Sequence, residues 1–293
     1  MRMARIKAGI IGGAGYTGGE LIRLLLNHPG AEATFIHSRS NAGKPIHAVH
    51  QDLIGDTALT FTSELSDDID VLFLCLGHGE SKKFLAENKI AEKIKVIDLA
   101  NDFRLGAHSS TGNRQFVYGL PELNRDKIKS AQNIANPGCF ATTIQLGLLP
   151  LAKAGLLNDV YTTGITGSTG AGQSLSATSH FSWRANNGES LVYLQPKNDV
   201  DLSFVPWRGD FTRGIFVSST LTCELSLVEL NILFEDFYKS HPFTHISKNP
   251  IFLKQVVNTN KAVLQLEKAG NKLVVHSAID NLLKGASGQA VQN

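Results

Sequence analysis

The fold is decided by the stretch Lys7-Ala8-Gly9-Ile10-Ile11-Gly12-Gly13-Ala14-Gly15-Tyr16-Thr17-Gly18, followed directly by Gly19-Glu20-Leu21-Ile22-Arg23-Leu24-Leu25-Leu26-Asn27. The stretch begins as a short apolar strand, and the second segment has the apolar spacing of an amphipathic helix. Glycines between a strand and a helix permit a tight turn and let a pyrophosphate approach the backbone at the helix N-terminus. This order predicts a dinucleotide site that includes Gly12, Gly15, Tyr16, Thr17 and Gly18.

The second predicted strand, Ala33–His37, indicates which dinucleotide binds. An NAD site usually has an acidic residue here, roughly 20 residues after the glycines, on the ribose 2′-hydroxyl. This chain has Ser38, Arg39 and Ser40 instead. Hydroxyls and a guanidinium suit a 2′-phosphate, so the sequence predicts NADP. The alternative for Arg39 is a solvated loop charge.

Two further apolar runs, Val71–Leu76 and Lys95–Leu99, extend the pattern. Nearly continuous apolar strands are typical of a parallel sheet covered on both faces, so we expect Cys75 in the core. Gly77, His78 and Gly79 follow the first run, at the strand end where open α/β sheets bind ligands. They are predicted to lie at the cofactor, with loop lining as the alternative for His78.

The segment Asn136-Pro137-Gly138-Cys139 places a thiol after a Pro-Gly turn, at the predicted first turn of a helix. A helix N-terminus favours the thiolate over the thiol, and its N–H groups can hold an oxyanion. Cys139 is therefore a candidate nucleophile for an acyl carbon. The alternative is a buried cysteine that behaves as a small hydrophobic residue.

The second half of the chain offers candidate anion ligands. A run of small residues over 162–172 contains Ser168 and Gly170, and it either supplies N–H donors to an anion or lets chain segments pack closely. Arg208 and Arg213 are five residues apart, and guanidinium groups grip carboxylates or phosphates. The alternative to anion binding is that these two arginines form a surface pair whose charge Asp210 balances. Arg104 is a third candidate, with an ion pair to Asp102 as its alternative.

Composition excludes several classes of protein. The chain has 293 residues and a formal net charge of +2, which suits two globular domains and gives no indication of nucleic-acid or membrane partners. Its three cysteines are widely separated without metal-ligand spacing, which argues against disulfides and predicts no metal site. We find no secretory leader and no run of about 20 apolar residues, so a cytoplasmic protein is expected.

Seven motifs follow one another along nearly the whole chain. They are Gly15-Tyr16-Thr17-Gly18-Gly19-Glu20-Leu21, Asp102-Phe103-Arg104, Tyr118-Gly119-Leu120-Pro121-Glu122, Asn136-Pro137-Gly138-Cys139, Gly170-Ala171-Gly172, Arg208-Gly209-Asp210-Phe211-Thr212-Arg213-Gly214 and Asp280-Asn281-Leu282-Leu283-Lys284-Gly285-Ala286. In this order they resemble the motifs of the N-acetyl-gamma-glutamyl-phosphate reductase family, which reduces an acyl phosphate in arginine biosynthesis. Any one motif would be weak evidence, whereas all of them in order are specific.

The resemblance implies an α/β fold like that of glyceraldehyde-3-phosphate dehydrogenase. A doubly wound Rossmann-type NADP domain would span 1–138 and be completed by a C-terminal helix at 281–293. An α+β catalytic and dimerisation domain would span 139–280 and form a homo-oligomer, either dimer or tetramer. Cys139 would attack an N-acylated glutamyl phosphate, a small-molecule substrate. The residues implied to bind it are Arg104, Asn136, Ser168, Gly170, Arg208 and Arg213.

Two departures from the family pattern stand out. The family has a catalytic histidine in a His-x-His segment after the Gly-Ala-Gly run, but here Trp183-Arg184-Ala185-Asn186-Asn187 passes directly to Gly188. Either the protein lacks this base loop or residues are missing between Asn187 and Gly188, and we favour the second. His180 is a possible substitute base, with a packing role as its alternative. The chain is also short at its C-terminus for the family.

Two other functions remain open from sequence. An aspartate-semialdehyde dehydrogenase performs the same chemistry on a substrate one methylene shorter, but its cysteine usually follows Ser-Asn or Gly-Asn, so Pro137 and Gly138 argue against it. A non-catalytic NADP-binding protein that has lost the base loop is the other alternative. The sequence also leaves open whether the acyl group is acetyl or succinyl.

Overall fold

A computed structural model of the chain describes residues 4–171, 188–194 and 200–293. The chain divides into two compact units, Met1–Gly138 with Ala286–Asn293, and Cys139–Gly285. The C-terminal return to the first unit begins at Ala286, whereas the division implied by the resemblance assigned 281–293 to the first domain.

The first unit contains one sheet in the order β3-β2-β1-β4-β5-β8-β7-β6, in which only the β6–β7 pair is antiparallel. The reversal of strand order next to β1 defines a doubly wound fold. Its strands are β1 (Ile6–Ile11), β2 (Ala31–His37), β3 (Phe61–Thr62), β4 (Val71–Leu74), β5 (Lys95–Asp98), β6 (Ser110–Thr111), β7 (Arg114–Tyr118) and β8 (Asn133–Ala135). Its first three helices are α1 (Tyr16–Leu26), α2 (Glu80–Glu87) and α3 (Pro121–Ser130).

Apolar side chains cover both faces of this sheet. One cluster joins Ile10 of β1 to Leu21 of α1, and the other joins Leu74 of β4 to Phe84 of α2. The predicted two-sided burial is therefore confirmed. Cys75 lies in the first of these clusters, as expected.

The second unit contains a mixed sheet in the order β10-β9-β11-β14-β13-β12. Its strands are β9 (Val160–Thr166), β10 (Leu202–Arg208), β11 (Ile215–Thr222), β12 (Thr244–Ser247), β13 (Ala262–Ala269) and β14 (Lys272–Ile279). Its helices are α4 (Cys139–Ala154), α5 (Gly188–Leu194) and α6 (Leu227–Tyr238). Helices α4 and α6 pack on the sheet, and burial alternates along β11. One face of the sheet therefore carries the core.

A tight turn and a helix cap stabilise local structure in this unit. Gly270, with φ of +59°, makes the turn between β13 and β14. Ser226 caps α6 by accepting from the N–H of Glu229, whose carboxylate accepts from the N–H of Ser226. The last elements along the sequence are a π-helical turn (Leu283–Ser287) and α7 (Gly288–Gln292), within the range 281–293 for which the resemblance implied a helix.

Candidate active site

The turn between β1 and α1 is held by backbone contacts that only glycine allows. The N–H groups of Gly12 and Gly13 both donate to the carbonyl of His37. Gly12 has φ of +80°, and a Cβ there would lie 2.3 Å from the Cys75 carbonyl oxygen. A Cβ on Gly18 would lie 2.6 Å from the Gly12 carbonyl oxygen. These two glycines are therefore required by the protein itself.

Gly15 differs from its neighbours in the turn. It is the N-cap of α1, and among the described residues the only atom near its ideal Cβ is the Gly12 carbonyl oxygen at 3.5 Å. The protein would thus tolerate a side chain here. The space in front of Gly15 and the α1 N-terminus is where a pyrophosphate would approach, with Tyr16 exposed and Thr17 partly exposed beside it.

His50 supports the turn, and the sequence analysis did not find it. Its Nε2 lies 2.7 Å from the Gly13 carbonyl oxygen, and a Cβ on Gly19 would lie 2.5 Å from its Cε1. Burial lowers the pKa of His50, which favours the neutral ring, and Nε2 then donates to this carbonyl. A lone histidine some thirty residues after the glycines carries no sequence signal of this contact.

A cavity of about 360 Å³ opens at the carboxyl ends of β1 and β2. Ser38, Arg39 and Ser40 line it together with Gly12. Lys83 of α2 also lines it, and the sequence analysis missed this residue. Two cations, two hydroxyls and a glycine turn fit a phosphorylated dinucleotide, so the residues present suit NADP.

A larger cavity, of about 830 Å³, is lined by residues at the amino ends of the strands, among them Lys7, Asp70 and Lys95. Open α/β sheets bind their ligands at the carboxyl ends of the strands. Size alone therefore does not identify the cofactor site.

The loop with Gly77, His78 and Gly79 is fixed by Asp102. The Asp102 carboxylate accepts from the N–H groups of Gly79 and Lys82, which caps α2. The hydrogen bonds of Asp102 therefore go to the start of α2, and the alternative of an ion pair with Arg104 is not observed among the described residues. His78 accepts from the N–H of Asn101 through Nδ1, so it does line the loop, and its contact with the cofactor remains a prediction.

Arg104 and Asn136 connect the ends of β5 and β8. Arg104 is buried, and it donates through Nε to the Asn136 carbonyl and through a second nitrogen to the Leu99 carbonyl, both at 2.9 Å. The Asn136 side chain donates to the Ala286 carbonyl at 3.2 Å and accepts from Asn293 at 3.1 Å. These contacts give both residues structural roles, and substrate contact remains a prediction for them.

Asp98, at the end of β5, is a buried carboxyl group that the sequence analysis missed. One oxygen accepts from the Ser81 hydroxyl at 2.5 Å and from the Ala100 N–H, while the other has no partner among the described residues. Burial raises the pKa of Asp98 to about 6. An acidic residue inside an apolar strand pattern gave no signal of this environment.

Cys139 is the first residue of α4, as predicted, and it is partly exposed. The next residue, Phe140, packs edge-on against Phe204, and a Cβ on Gly164 would lie 2.6 Å from its ring. Gly285 lies on the other side, where a Cβ would be 2.8 Å from the Cys139 Cβ. The candidate thiol therefore lies at a helix N-terminus, with Gly285 against its own Cβ and Gly164 against the ring of the next residue.

The small-residue run packs on the arginine-containing loop of the same unit. The N–H groups of Ser168 and Thr169 donate to the carbonyls of Phe211 and Thr212. Asn281 joins both segments, because its side chain accepts from the Gly214 N–H at 2.7 Å and donates to the Thr169 hydroxyl at 2.9 Å. Three segments singled out in the sequence thus meet in space.

The two arginines of this loop have different surroundings. Arg213 donates to both carboxylate oxygens of the fully buried Asp280, at 3.0 and 3.2 Å, so Asp210 is not its partner as the alternative supposed. Arg208, the last residue of β10, makes no side-chain hydrogen bond or ion pair with any described residue. Substrate contact remains a prediction for both arginines.

Some predicted features lie outside the described residues. These are Gly172, His180 and the segment 183–187 that precedes the junction with Gly188. Within the described ranges, no cluster of three His, Cys, Asp or Glu side chains is placed to hold a metal ion. Also within them, no helix has the length and apolar character to span a membrane.

Family models match both units. The semialdehyde dehydrogenase NAD-binding domain matches residues 7–131, and the semialdehyde dehydrogenase dimerisation domain matches residues 139–193 and 188–281. The chain is thus an oxidoreductase of the semialdehyde dehydrogenase class. Its fold is similar to that of aspartate semialdehyde dehydrogenase II of Vibrio cholerae, with TM-score 0.74 and 14% identity, covering 98% of this chain and 96% of that one. The aspartate semialdehyde dehydrogenase of Candida albicans gives a TM-score of 0.70 at 14% identity, with the same coverage.

The relatives found by sequence share much more identity with this chain than these solved structures do. The N-acetyl-gamma-glutamyl-phosphate reductase of Christiangramia forsetii is 53% identical over 304 residues, covering 98% of this chain and 94% of that protein. The enzyme of Bacteroides fragilis strain YCH46 is 54% identical over 305 residues with the same coverage. The chain belongs to the N-acetyl-gamma-glutamyl-phosphate reductase family, as its motifs predicted. Its likeness to the aspartate enzymes shows the fold alone.

The comparisons also bear on the departure at Gly188. The alignment with the C. forsetii protein runs over 304 positions, more than the 293 residues of this chain, so that relative has residues without a counterpart here. The dimerisation-domain model matches in two segments that overlap at residues 188–193. Both observations are consistent with a segment that is absent next to Gly188.

Proposed function

We propose that this protein reduces N-acetylglutamyl 5-phosphate to N-acetylglutamate 5-semialdehyde, with release of phosphate and consumption of NADPH. The observation that carries the proposal is Cys139 at the first position of α4, partly exposed, in a chain whose relatives bear the name of this reductase. A nucleophile there divides one difficult displacement into two easier steps.

In the first step the Cys139 thiolate attacks the acyl carbon, and the C–O bond to phosphate breaks to leave a thioester. The N–H groups of the first turn of α4 stabilise the oxyanion that forms during attack. Arg208 pairs with an anionic group of the substrate, since no described residue engages its guanidinium. The bound cofactor supplies the hydride that reduces the thioester.

Reduction and product release need a group that moves one proton. That group, in its protonated form, donates to the thioester oxygen as the thiohemiacetal forms, and it takes the proton back when the thiohemiacetal collapses to the aldehyde and the Cys139 thiolate; in the family pattern this group is a histidine. Our proposal is that the full site includes a histidine segment between Asn187 and Gly188. The support for it is the length of the alignment with the C. forsetii relative and the split family match at residues 188–193.

NADP rather than NAD is proposed as the cofactor, from the groups in the cavity at Ser38 and Arg39. The His50 contact with Gly13 holds the glycine turn and keeps the α1 N-terminus open to the pyrophosphate. None of the three cysteines, all of them described, is in a disulfide, which supports a reducing compartment, and we propose the cytoplasm.

A homo-oligomer, dimer or tetramer, is proposed through the second sheet. Its β9 and β10 present Tyr161 and Trp207 at 66% and 46% exposure, and the register pairs Trp207 with Ile165, which lies on the same face as Tyr161. This face is opposite to the one that packs against α4. Exposed aromatic side chains together on one face are typical of association surfaces.

The test is phosphate-dependent reduction of NADP by purified protein with N-acetylglutamate semialdehyde, with the N-succinyl and aspartate semialdehydes in parallel. Cys139→Ser is expected to lower kcat at least about a thousandfold, with NADPH binding retained. Cys223→Ser, at a buried cysteine of the same unit, is the matched control. Turnover confined to aspartate semialdehyde, or full activity of Cys139→Ser, would overturn the proposal. NADP binding without any turnover by the wild type would support the non-catalytic alternative.

A further inference from the structure

The contact between Gly285 and Cys139 is unusually close. A Cβ built on Gly285 lies 2.8 Å from the Cys139 Cβ, and it also lies 3.3 Å from the Asp280 carbonyl oxygen and from the Ile279 Cδ1. Gly285 is not among the glycines with positive φ, so its backbone would accept alanine. The obstacle to a side chain is therefore Cys139 itself, whose Cβ is joined directly to the backbone of α4.

Gly285 is held in place by a wide turn. Its N–H donates to the Asp280 carbonyl at 2.9 Å, a bond across five residues that belongs to the π-helical pattern at Leu283–Ser287. π-helical turns are rare in proteins overall, and those that occur are often found at functional sites. The close approach to Cys139 thus depends on where Asp280 lies.

Asp280 is fixed by a complete set of hydrogen bonds. Its buried carboxylate accepts from the N–H groups of Leu282 and Leu283 inside the turn and from the N–H of Asn258 outside it. Arg213 adds two bonds and neutralises the charge. A buried, fully hydrogen-bonded ion pair defines a single geometry.

We propose that the turn Asp280–Gly285, held by Arg213, positions the Cys139 thiol, and that Gly285 determines where that thiol lies. On this assignment Arg213 is a positioning residue rather than a substrate ligand. The inference rests on the proposed nucleophile role of Cys139. A methyl group on residue 285 would push Cys139 away from its present place, and would move the sulfur relative to the N–H groups that stabilise the thiolate.

The main test is Gly285→Ala in the whole chain. Its kcat is expected to fall about tenfold or more with the KM for NADPH unchanged. Alkylation of Cys139 by iodoacetamide, followed by mass spectrometry of its peptide from pH 5 to 9, is expected to show a higher midpoint and a rate at pH 7 reduced about threefold or more. A loss of stability alone would not move this alkylation midpoint.

The matched control is Gly147→Ala, in the same helix. Its ideal Cβ meets only Val275 Cγ1 at 3.4 Å and Ser277 Cβ at 3.7 Å, which are ordinary contacts, so kinetics and alkylation should match the wild type. Wild-type kcat and alkylation profile in Gly285→Ala would overturn the inference. Because alkylation needs no turnover, this outcome is distinct from a failure of the proposed function, which Cys139→Ser reports.

A second variant keeps the inference testable if Gly285→Ala does not fold. Arg213→Lys retains a cation but cannot donate the two parallel bonds to Asp280. We expect a lower kcat and a raised alkylation midpoint, with the KM for the semialdehyde unchanged. A raised KM for the semialdehyde with an unchanged kcat would indicate that Arg213 binds the substrate, and it would contradict the positioning role.

Discussion

The cofactor site of the first unit is built from residues close together in the sequence, whereas the thiol site of the second unit combines segments far apart in the chain. Gly12 to Gly18 make one turn, and Ser38 to Ser40 follow the next strand. Around Cys139, by contrast, Gly164, Phe204 and Gly285 come from three separate elements. The first site is therefore visible as a motif, and the second depends on tertiary packing.

The two sites also treat charge differently. Arg39 lines an open cavity in the first unit, while Arg213 in the second is committed to a buried carboxylate. The Asp280 carboxylate already neutralises the charge of Arg213, which weakens its attraction for a second anion. The comparison teaches that an arginine in a motif indicates an anion, and only the structure shows whether that anion is substrate or protein.

The largest expected effect lies at the junction of Asn187 and Gly188. Insertion there of a segment with the His-x-His pattern of the family is expected to raise kcat about 10²- to 10⁴-fold, the usual contribution of a general acid or base. NADPH binding should not change, because the first unit is untouched. A Gly/Ser insertion of equal length is the control, and equal rates for both insertions would show that the base lies elsewhere.

The cofactor preference gives the next effect. Arg39→Ala is expected to raise the KM for NADPH about tenfold to a hundredfold, since a charge-assisted hydrogen bond to the 2′-phosphate is lost. The KM for NADH should stay the same. Lys82→Ala, at an exposed lysine of α2 beside the cavity-lining Lys83, is the matched control. An equal loss for both cofactors would place Arg39 away from the 2′-phosphate.

A pair of glycine variants separates folding from binding within one motif. Gly18→Ala should lower the melting temperature by several degrees, because overpacking against Gly12 costs about 1–3 kcal/mol. Gly15→Ala should melt like the wild type and bind NADPH about tenfold more weakly. Thermal melting and fluorescence titration measure both. Unchanged NADPH affinity in Gly15→Ala would show that the pyrophosphate does not lie over Gly15.

The smallest effect concerns Asp98. Burial raises its pKa to about 6, above that of the unfolded chain, so its contribution to stability is full at low pH and is lost as the pH rises through about 6. Asp98→Asn should therefore melt about 2–6 °C higher than the wild type at pH 8, with no such gain at pH 4. The exposed Asp56→Asn is the control. An equal change at both pH values would show that Asp98 does not titrate differently in the folded protein.

The sequence by itself determined the elements whose signals are local. Apolar runs gave the parallel strands, the glycine spacing gave the turn before α1, and Pro137-Gly138 gave the start of α4 at Cys139. The fixed order of the motifs also identified the family, because this order can be read from the sequence without knowing any tertiary contact. These features follow from backbone geometry and hydrophobic periodicity, which act over a few residues.

Only the tertiary structure decided which side chains meet. In the structure His50 contacts the glycine turn, Asp102 caps the start of α2, and Arg213 pairs with Asp280. The structure also showed that Gly285 touches Cys139, more than a hundred residues earlier in the chain. Such contacts are set by how strands and helices pack across the chain, and no periodicity in the sequence records them.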